Sequence, residues 1–214
     1  MTLTTHQYPR EISNPKHLVV LLHGYGSNGR DLLSLAPELQ EALPDAVFIS
    51  PDAIYPFEGG MSNAFQWYSL AYRSEESMLE GARNALPIIT DYIDAQLQRF
   101  NLTHDKLFLM GFSQGGMLTM YSAYRMPNLI AGAVSFSGFM VASDNLREEI
   151  KSRPPIFIAH GIEDSVVPVG ALDLAQAELE KLDINVDSIK IPHLGHGIDS
   201  KAISGTIKFL LGKI

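Results

Sequence analysis

Residues 106–116, Lys106-Leu107-Phe108-Leu109-Met110-Gly111-Phe112-Ser113-Gln114-Gly115-Gly116, decide how the rest of the chain reads. The stretch from Lys106 to Gly111 is a short apolar run of strand type, and the segment 114–125 that follows has helical character. Between them lies Gly-x-Ser-x-Gly in the strand-turn-helix context that such a motif requires. The turn is tight, so side chains two residues either side of the serine would collide with neighbouring backbone, and glycine at 111 and 115 removes them. Ser113 is thereby pushed into the open. A Gly-rich turn that merely packs a helix close to a strand would use the same letters, so the decision rests on whether the chain supplies partners for the hydroxyl.

Outward from this stretch, short β-branched or Leu-rich runs alternate with segments of helical period, the pattern of a mostly parallel sheet. Strands are predicted at 17–22, 46–50, 106–111, 131–136, 156–160 and 186–191, and helices at 31–42, 75–99, 114–125, 168–182 and 199–212. The second helix has Met78, Ala82, Ala85, Ile89, Ile93 and Leu97 three or four apart, with Ser74, Glu75 and Glu76 at its start. Pro87 removes one of its backbone hydrogen bonds and is expected to kink it. The runs are continuously apolar because strands of such a sheet are buried on both faces. The expected class is α/β, a mostly parallel central sheet with helices on both faces, in one domain over 1–214. Ligands then bind beyond the carboxyl ends of the strands. The Pro-, Gly- and aromatic-rich segment 51–63 reads as a long functional loop.

Composition narrows the chemistry. The chain has 214 residues, 46% hydrophobic and 19% charged, which suits one well-buried α/β domain. Its longest apolar runs, such as 18–22 and 156–159, fall far short of the roughly 20 residues a membrane-spanning helix needs, so no stable membrane insertion is expected. Residues 1–10 show neither a basic cluster nor an apolar stretch of secretory type, which predicts a cytoplasmic location. A formal charge of −8, with no stripe of Lys or Arg, argues against nucleic acid as a partner. With no cysteine, any covalent chemistry must use another nucleophile. Nothing in the composition bears on a homodimer, which stays open.

A serine hydroxyl needs a base, and the base needs an orienting acid; in this architecture they follow in the order Ser, then Asp or Glu, then His. His6, His17, His23 and His104 precede Ser113, and His160 precedes the best acid, which leaves His193 and His196. His196 lies between Gly195 and Gly197 on a loop after the last strand, where flanking glycines would let an imidazole approach the serine. His193 reads as a polar loop residue that hydrogen-bonds locally. The acid belongs at another strand end, and the segment His160-Gly161-Ile162-Glu163-Asp164-Ser165-Val166-Val167-Pro168 offers Asp164, preferred over Glu163. Asp173, Glu178, Glu180 and Asp183 fall on a helical segment and read as a solvated face.

After the first strand comes His23-Gly24-Tyr25-Gly26-Ser27-Asn28-Gly29. Acyl transfer needs two backbone donors for the developing oxyanion, and the amides of Tyr25 and Gln114 are the candidates. The same turn satisfies G-x-G-x-x-G, with Asp52 roughly where a ribose-binding acid would stand, so a nicotinamide-dependent oxidoreductase is the rival reading. Against it, Asp31 stands near the start of the helix and would oppose a pyrophosphate, and the pattern of Ser113, Asp164 and His196 is left unexplained. A non-catalytic ligand-binding protein is the other alternative, since fold does not dictate function. No metal site is expected: His193 and His196 lie on a Gly-containing loop and no H-E-x-x-H occurs.

Together, LLHGYGSN, NAFQWYSL, GFSQGG, HGIEDSVVP and LGHGI resemble the carboxylesterase, lysophospholipase and acyl-protein thioesterase family of small α/β-hydrolases over about residues 17–212. The resemblance implies an α/β-hydrolase fold and cleavage of a small-molecule or lipid-like ester or thioester without a cofactor. It implies that Ser113, Asp164 and His196 form the catalytic triad, and that the residue following His-Gly and the one following the serine supply the oxyanion donors. Members often carry Leu and then Gly-Asp in the first loop, where this chain has Tyr25, Gly26 and Ser27, so the acyl pocket beside that loop is expected to differ. Phe65, Trp67 and Tyr68, with Phe139 to Val141, are the candidate substrate contacts, because aromatic-rich loops can line an apolar pocket; alternatively they cap the core.

Overall fold

The six apolar runs pair into one sheet. Among the residues that the computed structural model describes, 3–141 and 146–214, they are β2 (His17–Leu22), β3 (Ala46–Pro51), β6 (Leu107–Phe112), β7 (Gly132–Phe136), β8 (Ile156–Gly161) and β9 (Val186–Ile191). A strand that the hydrophobic pattern does not announce, β1 (Thr5–Tyr8), adds to β3 antiparallel, giving the order β1-β3-β2-β6-β7-β8-β9 with every other pairing parallel. All four residues of β1 are half-buried, as suits a polar edge strand, so no apolar run marks it. At the opposite edge β9 is mostly half-exposed or exposed, and the expectation of burial on both faces fails there.

Each inner strand divides its residues between two cores. Leu18, Val20 and Leu22 of β2, with Leu107 and Leu109 of β6, face one side; Val19, Leu21, Phe108 and Met110 face the other. The first core is covered by α3 (Glu75–Phe100), α4 (Gln114–Ala123), α5 (Leu146–Glu149) and α6 (Gly170–Glu180). The second is covered by α1 (Gly29–Leu33), α2 (Ala36–Gln40) and α7 (Ser200–Leu211). No helix among the described residues is long and apolar enough to cross a membrane.

The helix predicted over 31–42 is two short helices instead. Pro37 sits in the first turn of α2, where its missing N–H needs no acceptor, whereas a single helix would have required that donor. In α3 the Ser74 hydroxyl caps the start by accepting from the Ser77 amide, and Asn101 closes the end in the left-handed conformation. Pro87 does not interrupt this helix, and the Thr90 hydroxyl donates to the Pro87 carbonyl. The segment 51–63 holds β4 (Tyr55–Pro56), which pairs with β5 (Phe65–Gln66) as a small hairpin.

From β2 the chain moves to β3 on one side, and β6 later pairs with β2 on the other. The carboxyl ends of β2 and β6 therefore flank a reversal of strand order, where an open α/β sheet leaves a crevice. The turn after β2 and the turn around Ser113 both open into it.

Candidate active site

The turn between β6 and α4 is built by close approach. A Cβ at Gly115 would stand 1.8 Å from the Leu22 carbonyl oxygen, and one at Gly111 would stand 2.2 Å from the Gly115 carbonyl oxygen. Ser113 between them has φ 53° and ψ −117°, a left-sided conformation that an L-residue holds only under strain. Its amide is fixed by the Phe136 carbonyl of β7 at 2.9 Å. Because the obstacle at 115 is backbone, Gly115→Ala has nowhere to relax. It should destabilise by about 3 kcal/mol or more, a melting temperature lower by roughly 6–12 °C, read by thermal denaturation. An unchanged melting temperature would mean that β2 and α4 are not locked together at this point.

Two other loops meet this turn. Asp164, in the loop after β8, has a fully buried side chain; its Oδ1 accepts from the amides of Val166 and Val167, both at 2.9 Å. Its Oδ2 lies 2.8 Å from His196 Nδ1, and His196 Nε2 lies 2.9 Å from Ser113 Oγ. Burial alone would raise the Asp164 carboxyl, but the Val167 amide, the His196 hydrogen bond and the Val166 amide outweigh it, so its pKa lies below the ordinary 3.8. A carboxylate can only accept, so Nδ1 carries the ring proton and the Nε2 lone pair faces the hydroxyl. The arrangement can therefore draw a proton from Ser113 onto the ring and hold the charged ring against a carboxylate.

The acid and histidine loops are joined by backbone. Ile162 and Glu163 donate to the carbonyls of Ile191 and Leu194, both at 2.9 Å, and a Cβ at Gly161 would stand 2.2 Å from the Leu194 carbonyl oxygen. The glycines flanking His196 have a different standing from the one expected. A Cβ at Gly195 or Gly197 would meet its nearest neighbour only at 3.9 Å, so the approach of His196 does not depend on them; the glycine this contact requires is Gly161. The ring of His196 is held against Phe112, centroid to centroid 4.9 Å. His193 is exposed and pairs locally with Glu163 at 3.0 Å.

The turn after β2 lies beside the serine: a Cβ at Gly24 would be 3.4 Å from Ser113 Cβ. The amides of Tyr25 and Gln114 donate to no group among the described residues, while those of Gly26 and Ser27 are engaged by Phe65 and Gly24. Asp52, the ribose-binding candidate of the rival reading, accepts instead from the Gly29 amide and pairs with His6.

Three side chains brace the site in ways that the motifs containing them do not announce. His23, fully buried, donates from Nδ1 to the Gly24 carbonyl and accepts the Ala53 amide at Nε2; burial lowers its pKa, in keeping with a neutral ring. The Gln114 side chain accepts the Trp67 amide at 3.0 Å and donates to the Tyr68 carbonyl at 2.9 Å. His160, also buried, donates from Nε2 to the Val167 carbonyl at 2.8 Å and passes 3.3 Å from Asp164 Oδ2. The aromatic residues named as substrate contacts do not form one pocket. Trp67 is 1% exposed, with its indole N–H on the His23 carbonyl, and Tyr68 is nearly as buried; Phe65 pairs through its backbone with Ser27 and Gly26. Phe139 and Met140 line an apolar groove of about 660 Å³ with Val167, Pro168 and Leu174.

A mostly parallel sheet with helices on both faces, and a serine raised on a strand-to-helix turn beside a histidine held by an acid, define a hydrolase of the α/β-hydrolase fold. The chain belongs to the phospholipase/carboxylesterase family, which matches residues 9–213, and it is a serine hydrolase. It is 28% identical over 205 residues to acyl-protein thioesterase 1 of Eremothecium gossypii, covering 91% of this chain and 87% of the relative. It is 24% identical over 195 residues to the esterase YpfH of Escherichia coli, covering 91% and 82%. Among solved structures, that of esterase PE8 is similar over 100% of both chains, with 32% identity and a TM-score of 0.94.

Proposed function

We propose that the protein hydrolyses carboxylic esters or thioesters through an acyl-enzyme on Ser113, with His196 as base and Asp164 as the acid that orients it. The observation that carries this reading is the continuous hydrogen-bond chain from Ser113 Oγ through the His196 ring to Asp164, at 2.9 and 2.8 Å. His196 Nε2 takes the hydroxyl proton as Ser113 Oγ bonds to the substrate carbonyl carbon. The carbonyl oxygen becomes an oxyanion, received by the free amides of Tyr25 and Gln114. The intermediate collapses with cleavage of the C–O or C–S bond, and the imidazolium returns its proton to the leaving alcohol or thiol. Water, deprotonated by the same ring, then attacks the acyl carbon and releases the carboxylic acid and Ser113. Asp164 stays ionised throughout and stabilises the charged ring.

The groove of Phe139, Met140, Val167, Pro168 and Leu174 supports an apolar acyl or alkyl portion in the substrate, since its volume of about 660 Å³ falls in the range of small-molecule sites and Val167 belongs to the loop that holds Asp164. Phe65, Trp67 and Tyr68 enter this reading as supports of the site's walls. The relatives include proteins named for thioesters and for esters, so both leaving groups belong in the assay. Purified protein should react with a fluorophosphonate and hydrolyse p-nitrophenyl acetate, longer p-nitrophenyl esters and an acyl thioester, with rates that vary with acyl length. Wild-type protein that neither labels nor turns over any of these would sink the proposal and favour a ligand-binding role.

A further inference from the structure

The first loop departs from its family resemblance at Tyr25, and the structure gives that side chain a partner. The Tyr25 hydroxyl donates to Glu58 Oε1, which also accepts the Leu70 amide at 3.1 Å. The other oxygen of Glu58 accepts the Ser69 hydroxyl at 2.6 Å, and the Glu58 amide donates to Gln66 Oε1 at 2.8 Å. Next to Glu58, the ring of Phe57 stands edge-on to Tyr25, centroids 4.9 Å apart and planes at 86°, and lies where a Cβ at Gly26 would come within 3.2 Å. Glu58 thus joins three pieces of chain: the turn after β2, the tip of the β4–β5 hairpin and the strap leading into α3.

We infer that Glu58 is a positioning residue for the oxyanion donor: by holding the far end of the Tyr25 side chain, it fixes the plane and direction of the Tyr25 amide. The inference rests on the reading of that amide as an oxyanion donor. The turn needs such a tether. Gly26 occupies φ +76° and is conformationally permissive, and while the Gly26 and Ser27 amides are engaged, the Tyr25 amide donates to no group among the described residues. An oxyanion donor accelerates the reaction only if it is already aimed where charge will develop. Protonation states suit the latch over a wide pH range. The hydroxyls of Ser69 and Tyr25 hold the exposed Glu58 carboxyl down at about 2, while partial burial and then Glu58 hold the Tyr25 phenol up at about 12. Acceptor and donor therefore both persist between those limits. Leucine, which members of the resembling family often carry in this loop, has no hydroxyl with which to form the contact.

The test uses full-length Tyr25→Phe, Glu58→Ala, Glu58→Gln and the double variant Tyr25→Phe/Glu58→Ala. Each is assayed on p-nitrophenyl acetate, with kcat normalised to sites titrated by a fluorophosphonate. Removing a donor outright lowers kcat by about 10²–10³, so misaiming one should lower it by about tenfold in Tyr25→Phe and in Glu58→Ala, with KM within about twofold. The double variant should fall no further than the singles, because both break one contact. Glu58→Gln should stay near wild type: its amide oxygen can take the Tyr25 hydroxyl and the Leu70 amide, and its NH₂ can donate to Ser69. Single variants within twofold of wild type per titrated site, a double variant with multiplied losses, or Glu58→Gln falling as far as Glu58→Ala would each overturn the latch. Failure of the parent reading shows elsewhere, as activity that survives Ser113→Ala.

Discussion

Ser113→Ala should leave a folded protein whose kcat is lower by at least about 10⁴-fold and which no longer reacts with a fluorophosphonate, because the remaining groups can bind and polarise an ester but cannot form the acyl bond. The strained backbone makes this a clean experiment. Alanine carries the same Cβ as serine and meets the same penalty at φ 53°, so the melting temperature should hardly move. Ser113→Gly makes the complementary comparison: it relieves that strain and should gain about 1 kcal/mol of stability while losing activity as completely. Activity within tenfold of wild type in Ser113→Ala would refute the assignment of the nucleophile, whatever the fold. A large loss of stability in the same variant would instead show that the hydroxyl supports the elbow structurally.

Asp164→Asn should lower kcat by about 10⁴-fold with the site geometry nearly intact. Asparagine can keep an oxygen toward the Val166 and Val167 amides, which leaves its NH₂ facing His196 Nδ1. An NH₂ donates, so the ring would shift its proton to Nε2 and present Ser113 with a donor where a lone pair is needed. The same variant reports on acid stability. The folded pKa of Asp164 lies below its ordinary 3.8, so the carboxylate's stabilising contribution is fully present above that value and is lost as pH falls through the folded pKa. Denaturation midpoints followed from pH 6 downward should therefore decline less steeply in Asp164→Asn than in wild type. Retention of wild-type kcat would mean that a group other than Asp164 orients His196.

The fold was legible where hydrophobic burial acts on short segments. Runs such as Leu18 to Leu22 are apolar at every position because alternate residues enter separate cores on the two faces of the sheet, and this leaves a mark that needs no knowledge of neighbours. β1 left no such mark, since its four half-buried residues are held by edge pairing with β3. The break between α1 and α2 was written in Pro37 but hidden by an apolar period that runs across it. At the site, the order of Ser113, Asp164 and His196 and their places after β6, β8 and β9 could be taken from the chain, because strand ends and glycine turns are local features. Gly195 and Gly197 have room for a side chain, whereas the requirement for glycine at Gly161 leaves no local mark, because its obstacle is a carbonyl 33 residues later in the chain.

What the amino-acid order determined alone is therefore the alternation of strand and helix, the strained turn that lifts Ser113, and the succession of hydroxyl, acid and imidazole at strand ends. These depend on side-chain period and on conformations that individual residues permit, both properties of short stretches. Only the tertiary structure decided that His196 reaches Ser113 and Asp164 together, that Trp67 and Gln114 brace the elbow, and that Glu58 holds Tyr25. Those contacts join segments brought side by side by strand order and crossover connections, and a hydrogen bond that exists only at about 3 Å can be assigned only once that juxtaposition is known.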